Sequence, residues 1–366
     1  MRCVFWIHLC VLLLVFITSS APELTISSSC PSHCGNISIP YPFGIGKDCY
    51  LNDWYEIRCI HNSSVPFLTT IQKEVVRIDL PEPVNNGSHP YGLIRVKANI
   101  TSMGCSGGNG HNLEEVLNFT GTPFSISEDN TLVAFGCNSK ATLTNVEPSI
   151  VGCISSCDPS LELPQFLKKS SCYGGFKCCN ARTPADVGRL IGVKIESAYG
   201  NETRQECNVA FLTDEYDQPS LWPNRTDSSR LHAGKYATIQ LKWQVLASHP
   251  SFEESLVCGQ NFDDDFYSKP CYCDVVHFVE YSYLSCACTN GYEGNPYTPN
   301  GCKDVDECKK LQDDGRRLDL CTKSGEICHN IPGSYECKPS YKALVTYIGK
   351  SSNSIYFHFL TLGEII

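Results

Sequence analysis

Ile94-Arg95-Val96-Lys97-Ala98-Asn99-Ile100 alternates apolar and polar residues without a break. Successive side chains of an extended chain point to opposite faces, so this run predicts a strand with one buried and one wet face. The same period recurs where Ile191, Val193 and Ile195 alternate with Gly192, Lys194 and Glu196. It recurs again where Ala237, Ile239, Leu241, Trp243 and Val245 alternate with Thr238, Gln240, Lys242 and Gln244. No segment shows the spacing of a long amphipathic helix. Residues 30–250 are therefore expected to be mainly β, built from half-buried antiparallel strands.

The 366 residues include 24 Cys; Cys3 and Cys10 lie in an N-terminal apolar run and 22 follow it. Reducing compartments rarely hold so many thiols, which argues for a disulfide-rich protein outside the cytosol and nucleus. Each bridge contributes ~2–4 kcal/mol, chiefly by restricting the unfolded chain. Twelve Cys between Cys30 and Cys207 are irregularly spaced, and their connectivity is open at this stage. Six more run from Cys258 to Cys302 and four from Cys308 to Cys337. No Cys-x2-Cys pair is followed by a second, and the ten His are scattered, which disfavours zinc. A net charge of −10 argues against a nucleic-acid binder, and a hydrophobic content of 42% argues against a disordered chain.

Met1-Arg2, the apolar run Cys3–Ile17 and the small residues Thr18 to Ala21 predict a secretory signal peptide over residues 1–20. Pro22 hinders cleavage just before it, so the cut is expected near Ser20. The alternative is an uncleaved anchor, for which the run is short of the ~20 residues that span a bilayer. The apolar stretch Ile355–Ile366 is interrupted by His358 and Glu364 and is also too short, so no transmembrane helix is expected. Seven Asn-x-Ser/Thr sequons, at Asn36, Asn62, Asn86, Asn99, Asn118, Asn201 and Asn224, fit a secreted glycoprotein.

Cys286-x-Cys288, followed by Gly291-Tyr292 and a closing Cys302, resembles the grammar of an EGF-like module. Asp304-Val305-Asp306-Glu307-Cys308, with Cys328-His329-Asn330-Ile331-Pro332-Gly333-Ser334-Tyr335-Glu336-Cys337, resembles the calcium-binding EGF consensus over both halves. The resemblance implies Ca2+ as cofactor, held by the side chains of Asp304, Glu307 and Asn330 and the carbonyls of Val305, Ile331 and Ser334. Six to eight oxygens are what this hard cation takes. It further implies that Tyr335 packs on the preceding module. The bridges it implies are Cys308–Cys328 and Cys321–Cys337, and Cys288 and Cys302 count as bridged in the module before. A solvated acidic linker is the bland alternative. A complete module has six Cys, with the fifth two residues after the fourth; here that position is Pro339 and no sixth Cys follows. The module is thus incomplete, with four of six Cys. Residues 338–366 are expected to be an atypical tail, from a truncated transcript or read-through into non-coding sequence.

Cys30-Pro-Ser-His-Cys34-Gly-Asn-Ile-Ser-Ile-Pro-Tyr-Pro-Phe-Gly44, leading to Cys49 and Cys59, resembles the galacturonan-binding domain of plant wall-associated receptor kinases. Phe135-Gly136-Cys137-Asn138, Gly152-Cys153, Cys178-Cys179 and Leu241-Lys242-Trp243 fit the same family, and the resemblance runs over roughly residues 26–337. It implies an N-terminal β-rich galacturonan-binding domain over 26–150 and an associated β-rich region over 151–255. An EGF-like module over 256–303 and a calcium-binding one over 304–337 follow. It also implies pectin or oligogalacturonide as partner and the cell-wall apoplast as location. Family members continue into a plasma-membrane helix and a Ser/Thr kinase. No His-Arg-Asp loop, no Asp-Phe-Gly and no Gly-rich loop followed by a strand Lys occurs here, so a kinase is not expected.

A polyanionic ligand asks for cations. Residues 30–150 hold 7 Lys+Arg against 11 Asp+Glu, a net of −4, so binding requires local clustering or calcium bridging. Lys73, Arg77, Arg95 and Lys97 are the candidate cluster, and ordinary solvated strand positions are the alternative. Tyr41, Phe43, Trp54 and Tyr55 are candidates for stacking on sugars or for core. A secreted glycosidase would need two carboxylates across a cleft, whereas Asp263-Asp264-Asp265 repel one another on one loop. No catalytic residue is assigned. A structural adhesion protein that binds proteins through its EGF-like modules is the second function class.

Overall fold

The computed structural model describes residues 30–60, 64–83, 91–105, 113–146, 150–158, 172, 176–185, 187–198, 206–216, 227–246, 258–260, 269–277, 282–309, 320–323 and 325–340. The expected signal peptide, the tail beyond 340, the sequons at Asn62, Asn86, Asn201 and Asn224, and the Asp263–Asp265 run lie outside the described residues. The chain divides into two compact units. One takes its residues from Met1–Glu82, Tyr91–Leu256 and Val275–Ser285; the other from Pro83–Pro90, Val257–Asp274 and Cys286–Ile366.

The first unit begins with a two-residue ladder, β1 (His33–Cys34) against β2 (Ile37–Ser38). An antiparallel meander follows: β3 (Ile57–Ile60), β4 (Val65–Leu68), β5 (Lys73–Asp79) and β6 (Gly92–Asn99). Along β6 burial alternates residue by residue, as the period of two requires, with Ile94, Val96 and Ala98 inside. Then come β7 (Thr101–Met103), β8 (Glu114–Asn118), β9 (Phe124–Ile126), β10 (Thr131–Phe135), β11 (Ser139–Thr144) and β12 (Gly152–Ser155). β13 (Cys178–Arg182), β14 (Leu190–Ser197), β15 (Asn208–Thr213), β16 (Tyr236–Trp243) and β17 (Val245–Leu246) complete the unit's main strands. β3 to β16 form a six-stranded sheet ordered β3-β4-β5-β6-β16-β9 and two four-stranded sheets, β13-β10-β15-β7 and β12-β11-β14-β8. Strands from before and after residue 150 therefore share sheets; β6 and β16 pair from Gly92↔Trp243 to Asn99↔Tyr236. The α-helix Ser228–Gly234 is short, and Asp227 caps it by accepting from the Arg230 amide at 3.1 Å.

Aromatic residues fill the six-stranded sheet's inner side. Phe43 meets Tyr55 and Trp243 edge-on, with ring centroids 5.2 and 5.3 Å apart, and Phe124 closes the group. Edge-to-face contact aligns ring edges with the electron-rich faces. The Trp243 indole donates to the carbonyls of Asp79 and Leu93, both at 3.2 Å, so its one polar atom is satisfied inside. A second cluster gathers Ile100, Val133, Phe135, Val209 and Phe211. The twelve Cys of this unit close on themselves as Cys30–Cys49, Cys34–Cys59, Cys105–Cys207, Cys137–Cys157, Cys153–Cys179 and Cys172–Cys178.

In the second unit β18 (Gly259–Gln260) pairs in parallel with Tyr272 and Cys273 of β19 (Cys271–His277). Cys286, Ala287 and Cys288, the last residues of β20 (Ser282–Cys288), lead to the hairpin of β21 (Tyr292–Gly294) and β22 (Cys302–Asp304). A second hairpin, β23 (Glu326–Ile331) with β24 (Ser334–Pro339), follows. Bridges Cys258–Cys271, Cys273–Cys286 and Cys288–Cys302 staple the first small module, each Cys to its neighbour in sequence. Cys308–Cys328 and Cys321–Cys337 interleave in the second. With little apolar core, cystines and a few rings do the packing: Cys271, Cys288 and Cys302 cluster with Tyr292 against them, Tyr272 packs on Ala287, and Tyr297 is fully buried with its hydroxyl accepting from the Cys286 amide at 3.1 Å. The protein is mainly β and disulfide-rich.

Candidate functional site

The four basic residues of the candidate cluster sit on or beside the outer face of the six-stranded sheet, and each is engaged by a carboxylate. Arg95 reaches Asp214 at 2.5 Å and Glu215 at 2.8 Å. Lys97 pairs with Glu74 at 2.5 Å, Arg77 with Asp79 at 2.6 Å, and Lys73 with Glu115 at 3.7 Å. Lys242 on the same face pairs with Glu128 and lies 4.3 Å from the Tyr91 ring centroid. Burial works against the Arg95 charge, but the bonds to Asp214 and Glu215 outweigh it and hold the guanidinium above its ordinary pKa. Glu128 shows the mirror case: burial raises it, and the Lys242 and Tyr91 hydrogen bonds bring it below the ordinary carboxylate value. The structure gathers the predicted bases on one region but hands each an internal partner, so the face is charge-compensated.

Aromatic candidates divide in the same way. Phe43 and Tyr55 are core, and the Tyr55 hydroxyl donates to the Gln244 carbonyl. Tyr41 and Trp54 are half-buried. Burial pushes the Tyr41 phenol up to about 12.

The predicted calcium ligands lie where β22 ends and the β23–β24 hairpin turns. Asp304 Oδ1 accepts from the Gly333 amide and Oδ2 from Asn330 Nδ2, both at 2.6 Å. Ile331 and Ser334 face each other across the turn. The Val305 amide donates to the Gly291 carbonyl at 2.8 Å. Glu307 opens a single 3-10 turn, Glu307–Lys309. Its Oε2 is buried without a hydrogen-bond partner, and so is Oδ1 of Asp306, whose other oxygen pairs with Lys309 at 2.7 Å. The Lys309 hydrogen bond holds the Asp306 carboxyl below its usual value. An acceptor buried without a donor is costly unless a cation or water meets it. Unmet carboxylate oxygens are the donor chemistry that suits Ca2+. Among the described residues no three His, Cys, Asp or Glu converge as metal ligands would. Tyr335 remains exposed; Gly333 is the residue that lies against Gly291 and Tyr292. Neither that contact nor Asp306's unmet oxygen was singled out from sequence, although Gly333 stands inside the quoted consensus.

Of the described sequons, Asn36 and Asn118 are exposed in turns and at a strand end, with Asn118 Oδ1 accepting from the Thr120 amide at 3.0 Å. Asn99 is exposed at the end of β6, and its Nδ2 donates to Glu115 at 2.9 Å.

Residues 30–83 match the family model described as wall-associated receptor kinase galacturonan-binding, and residues 169–252 match the one described as wall-associated kinase. Putative wall-associated receptor kinase-like 11 of Arabidopsis thaliana is 40% identical over 377 residues, covering 93% of this chain and 47% of its own length. By the domains it carries, the chain belongs to the wall-associated receptor kinase family. Two further Arabidopsis thaliana relatives agree. Wall-associated receptor kinase-like 10 is 38% identical over 95% of this chain and 48% of its own length; wall-associated receptor kinase-like 18 is 38% identical over 92% and 46%. The chain spans about half the length of the curated relatives it matches. No solved structure matches it.

The segment that matches the galacturonan-binding family model covers β1 to β5, stapled by Cys30–Cys49 and Cys34–Cys59. Of its Lys and Arg residues, Lys73 and Arg77 are paired; Lys47 and Arg58 are exposed and have no ion pair among the described residues. The wall-associated kinase segment supplies β13 to β17, of which β13 to β16 complete sheets begun by the earlier strands. No helix among the described residues is long and apolar enough to cross a membrane.

Proposed function

We propose that the chain works outside the cell as a wall-polysaccharide-binding ectodomain without catalytic residues of its own. Its ligand is galacturonan, and Ca2+ supports its second small module. The observation that carries this is the match of residues 30–83 to the galacturonan-binding family model. With Lys73, Arg77, Arg95 and Lys97 neutralised by their neighbours, the polyanion is met instead by the exposed Lys47 and Arg58. Half-buried Tyr41 and Trp54 offer ring faces to the sugar, and calcium bridging between carboxylates offsets the local negative charge.

Both small modules are read as EGF-like. In the second, Asp304, Glu307 and Asn330 with the carbonyls of Val305, Ile331 and Ser334 would hold the ion. Bound there, Ca2+ supplies positive charge that meets the orphan Glu307 oxygen. Secretion, and glycans on exposed Asn36, Asn99 and Asn118, belong to the same proposal. A second role, protein contact, draws on the β23–β24 hairpin, where Ile327, Ile331 and Tyr335 are 47%, 36% and 36% exposed.

Calorimetric titration of the secreted chain with de-esterified oligogalacturonide, in calcium and in chelator, tests the ligand. Saturable heat in calcium is expected. No binding in either buffer at low salt would remove galacturonan as the ligand.

A further inference from the structure

Asn99 and Tyr236 face each other at the end of the β6–β16 ladder. One step beyond them the Ile100 amide donates to the Lys235 carbonyl at 2.9 Å. Bonded and non-bonded pairs alternate in an antiparallel ladder, so Asn99 and Tyr236 form a non-bonded pair, the kind that brings side chains closest. Cβ atoms in such a pair stand about 4.5–5.5 Å apart. Both side chains are exposed, Tyr236 by 52%, and they share the outer face of the six-stranded sheet with Lys97 and Thr238.

Among the described residues of that sheet, Ile60 and Tyr236 are the exposed large apolar side chains, and Ile60 lies away on β3 at the sheet edge. Tyr236 is therefore a single ring and not part of an apolar patch. Its surroundings on the face are ionic, with Lys97 paired to Glu74 and Lys73 to Glu115. A lone ring among charges suits a group with one apolar and one polar side. A sugar ring is such a group, with C–H bonds for the aromatic face and hydroxyls for the ions.

The chain carries its own point of attachment for one. Asn99-Ile100-Thr101 is a sequon. Asn99 Nδ2 donates to Glu115 at 2.9 Å, which fixes the direction of the side chain. The Thr101 hydroxyl is fully buried and donates to the Ala210 carbonyl at 2.6 Å, so a transferase reaches this sequon only before β7 closes on β15. Attachment joins the anomeric carbon of a diphosphate-linked sugar donor to Nδ2. The sugar's C–O bond breaks, the diphosphate leaves with its electron pair, and one amide proton is released. The second N–H stays for Glu115.

We propose that the glycan on Asn99 is seated on the protein, its first sugar ring packing against Tyr236, with Tyr236 and Glu115 as positioning residues. The seated sugar covers the exposed ring and ties the end of β6 to the start of β16. The inference rests on the glycan reading at Asn99 and adds to it a defined partner surface.

Glycopeptide mass spectrometry of the full secreted chain reads the occupancy of Asn99. Calorimetry then compares the Tm loss from Tyr236→Ser in the occupied chain with the loss in an Asn99→Gln background, which keeps an amide for Glu115 and leaves the buried Thr101 in place. The loss should be larger in the occupied chain by about 2–4 °C, the shift one ring contact gives a unit of this size. Tetranitromethane should nitrate Tyr236 several-fold more slowly in the occupied chain than in Asn99→Gln. Equal Tm losses, or equal nitration rates, with Asn99 occupied would overturn the seat and leave the glycan reading standing. An unoccupied Asn99 would overturn both.

Discussion

Replacing Arg95 by Gln separates a structural cation from a ligand-binding one. Arg95 spans two carboxylates, Asp214 at 2.5 Å and Glu215 at 2.8 Å, which follow the end of β15, Glu215 being 120 residues away in sequence. The Arg95 side chain is 17% exposed and that of Asp214 is 6%. Exposed ion pairs contribute about 0–1 kcal/mol, whereas removing one partner of a buried pair costs about 3–5 kcal/mol. This pair lies nearer the buried limit, and its loss leaves two adjacent carboxylates without a cation, so a cost of roughly 2–3 kcal/mol is expected. For a unit of this size each kcal/mol moves Tm by about 2–4 °C, giving a fall of about 4–12 °C. Differential scanning calorimetry in non-reducing buffer reads it. Adding Asp214→Asn should recover part of the loss, because the pair is removed together. Oligogalacturonide affinity of the folded R95Q protein should stay within a few-fold of the parent, about what small geometric shifts produce. An unchanged Tm together with lost binding would show that Arg95 is a free ligand cation and refute the charge-compensated face.

Arg58→Gln and Lys47→Gln are expected to leave Tm within about 2 °C, as exposed substitutions do, and to weaken oligogalacturonide binding with a smaller salt dependence; unchanged binding isotherms would place the ligand elsewhere. Replacing Cys34 and Cys59 together by Ser opens a loop with a sequence separation of 25 residues. The chain-entropy relation gives roughly 3.5 kcal/mol for a loop of that length, to be read from urea midpoints. Acid should destabilise the first unit. Glu128 sits below its ordinary value of 4.5, so its contribution is present above that pH and is lost as pH falls through the lower folded-state value. A midpoint-against-pH series should therefore decline below 4.5 and decline less in Glu128→Gln; identical slopes would contradict the Lys242 pairing.

The β architecture was legible because its longest strands carry uninterrupted alternation. The alternating runs from Ile94 to Asn99 and from Ala237 to Trp243 lie in β6 and β16, paired neighbours in the six-stranded sheet, and Ile191–Ile195 lies in β14. Pairs such as β1–β2 and β18–β19 rest on two residues per strand and leave no periodic trace. Connectivity was not legible either: Cys105 meets Cys207 at a separation of 102 residues, which only the sheet order brings about. The candidate bases lie near one another, and two of the acids that neutralise them come from far along the chain. Glu115 reaches Lys73, and Asp214 reaches Arg95. Phe43 and Tyr55 have the composition of a sugar platform, and only packing against Phe124 and Trp243 assigns them to the core.

Retention on immobilised pectin, compared between de-esterified and fully methyl-esterified polymer, bears most directly on the proposed role. The secreted chain should be held by de-esterified galacturonan in calcium, be eluted by free oligogalacturonide, and pass through the methyl-esterified column, since only the former offers carboxylates to Lys47, Arg58 and bridging ions. Equal retention on both polymers, or passage through both at low salt, would contradict it.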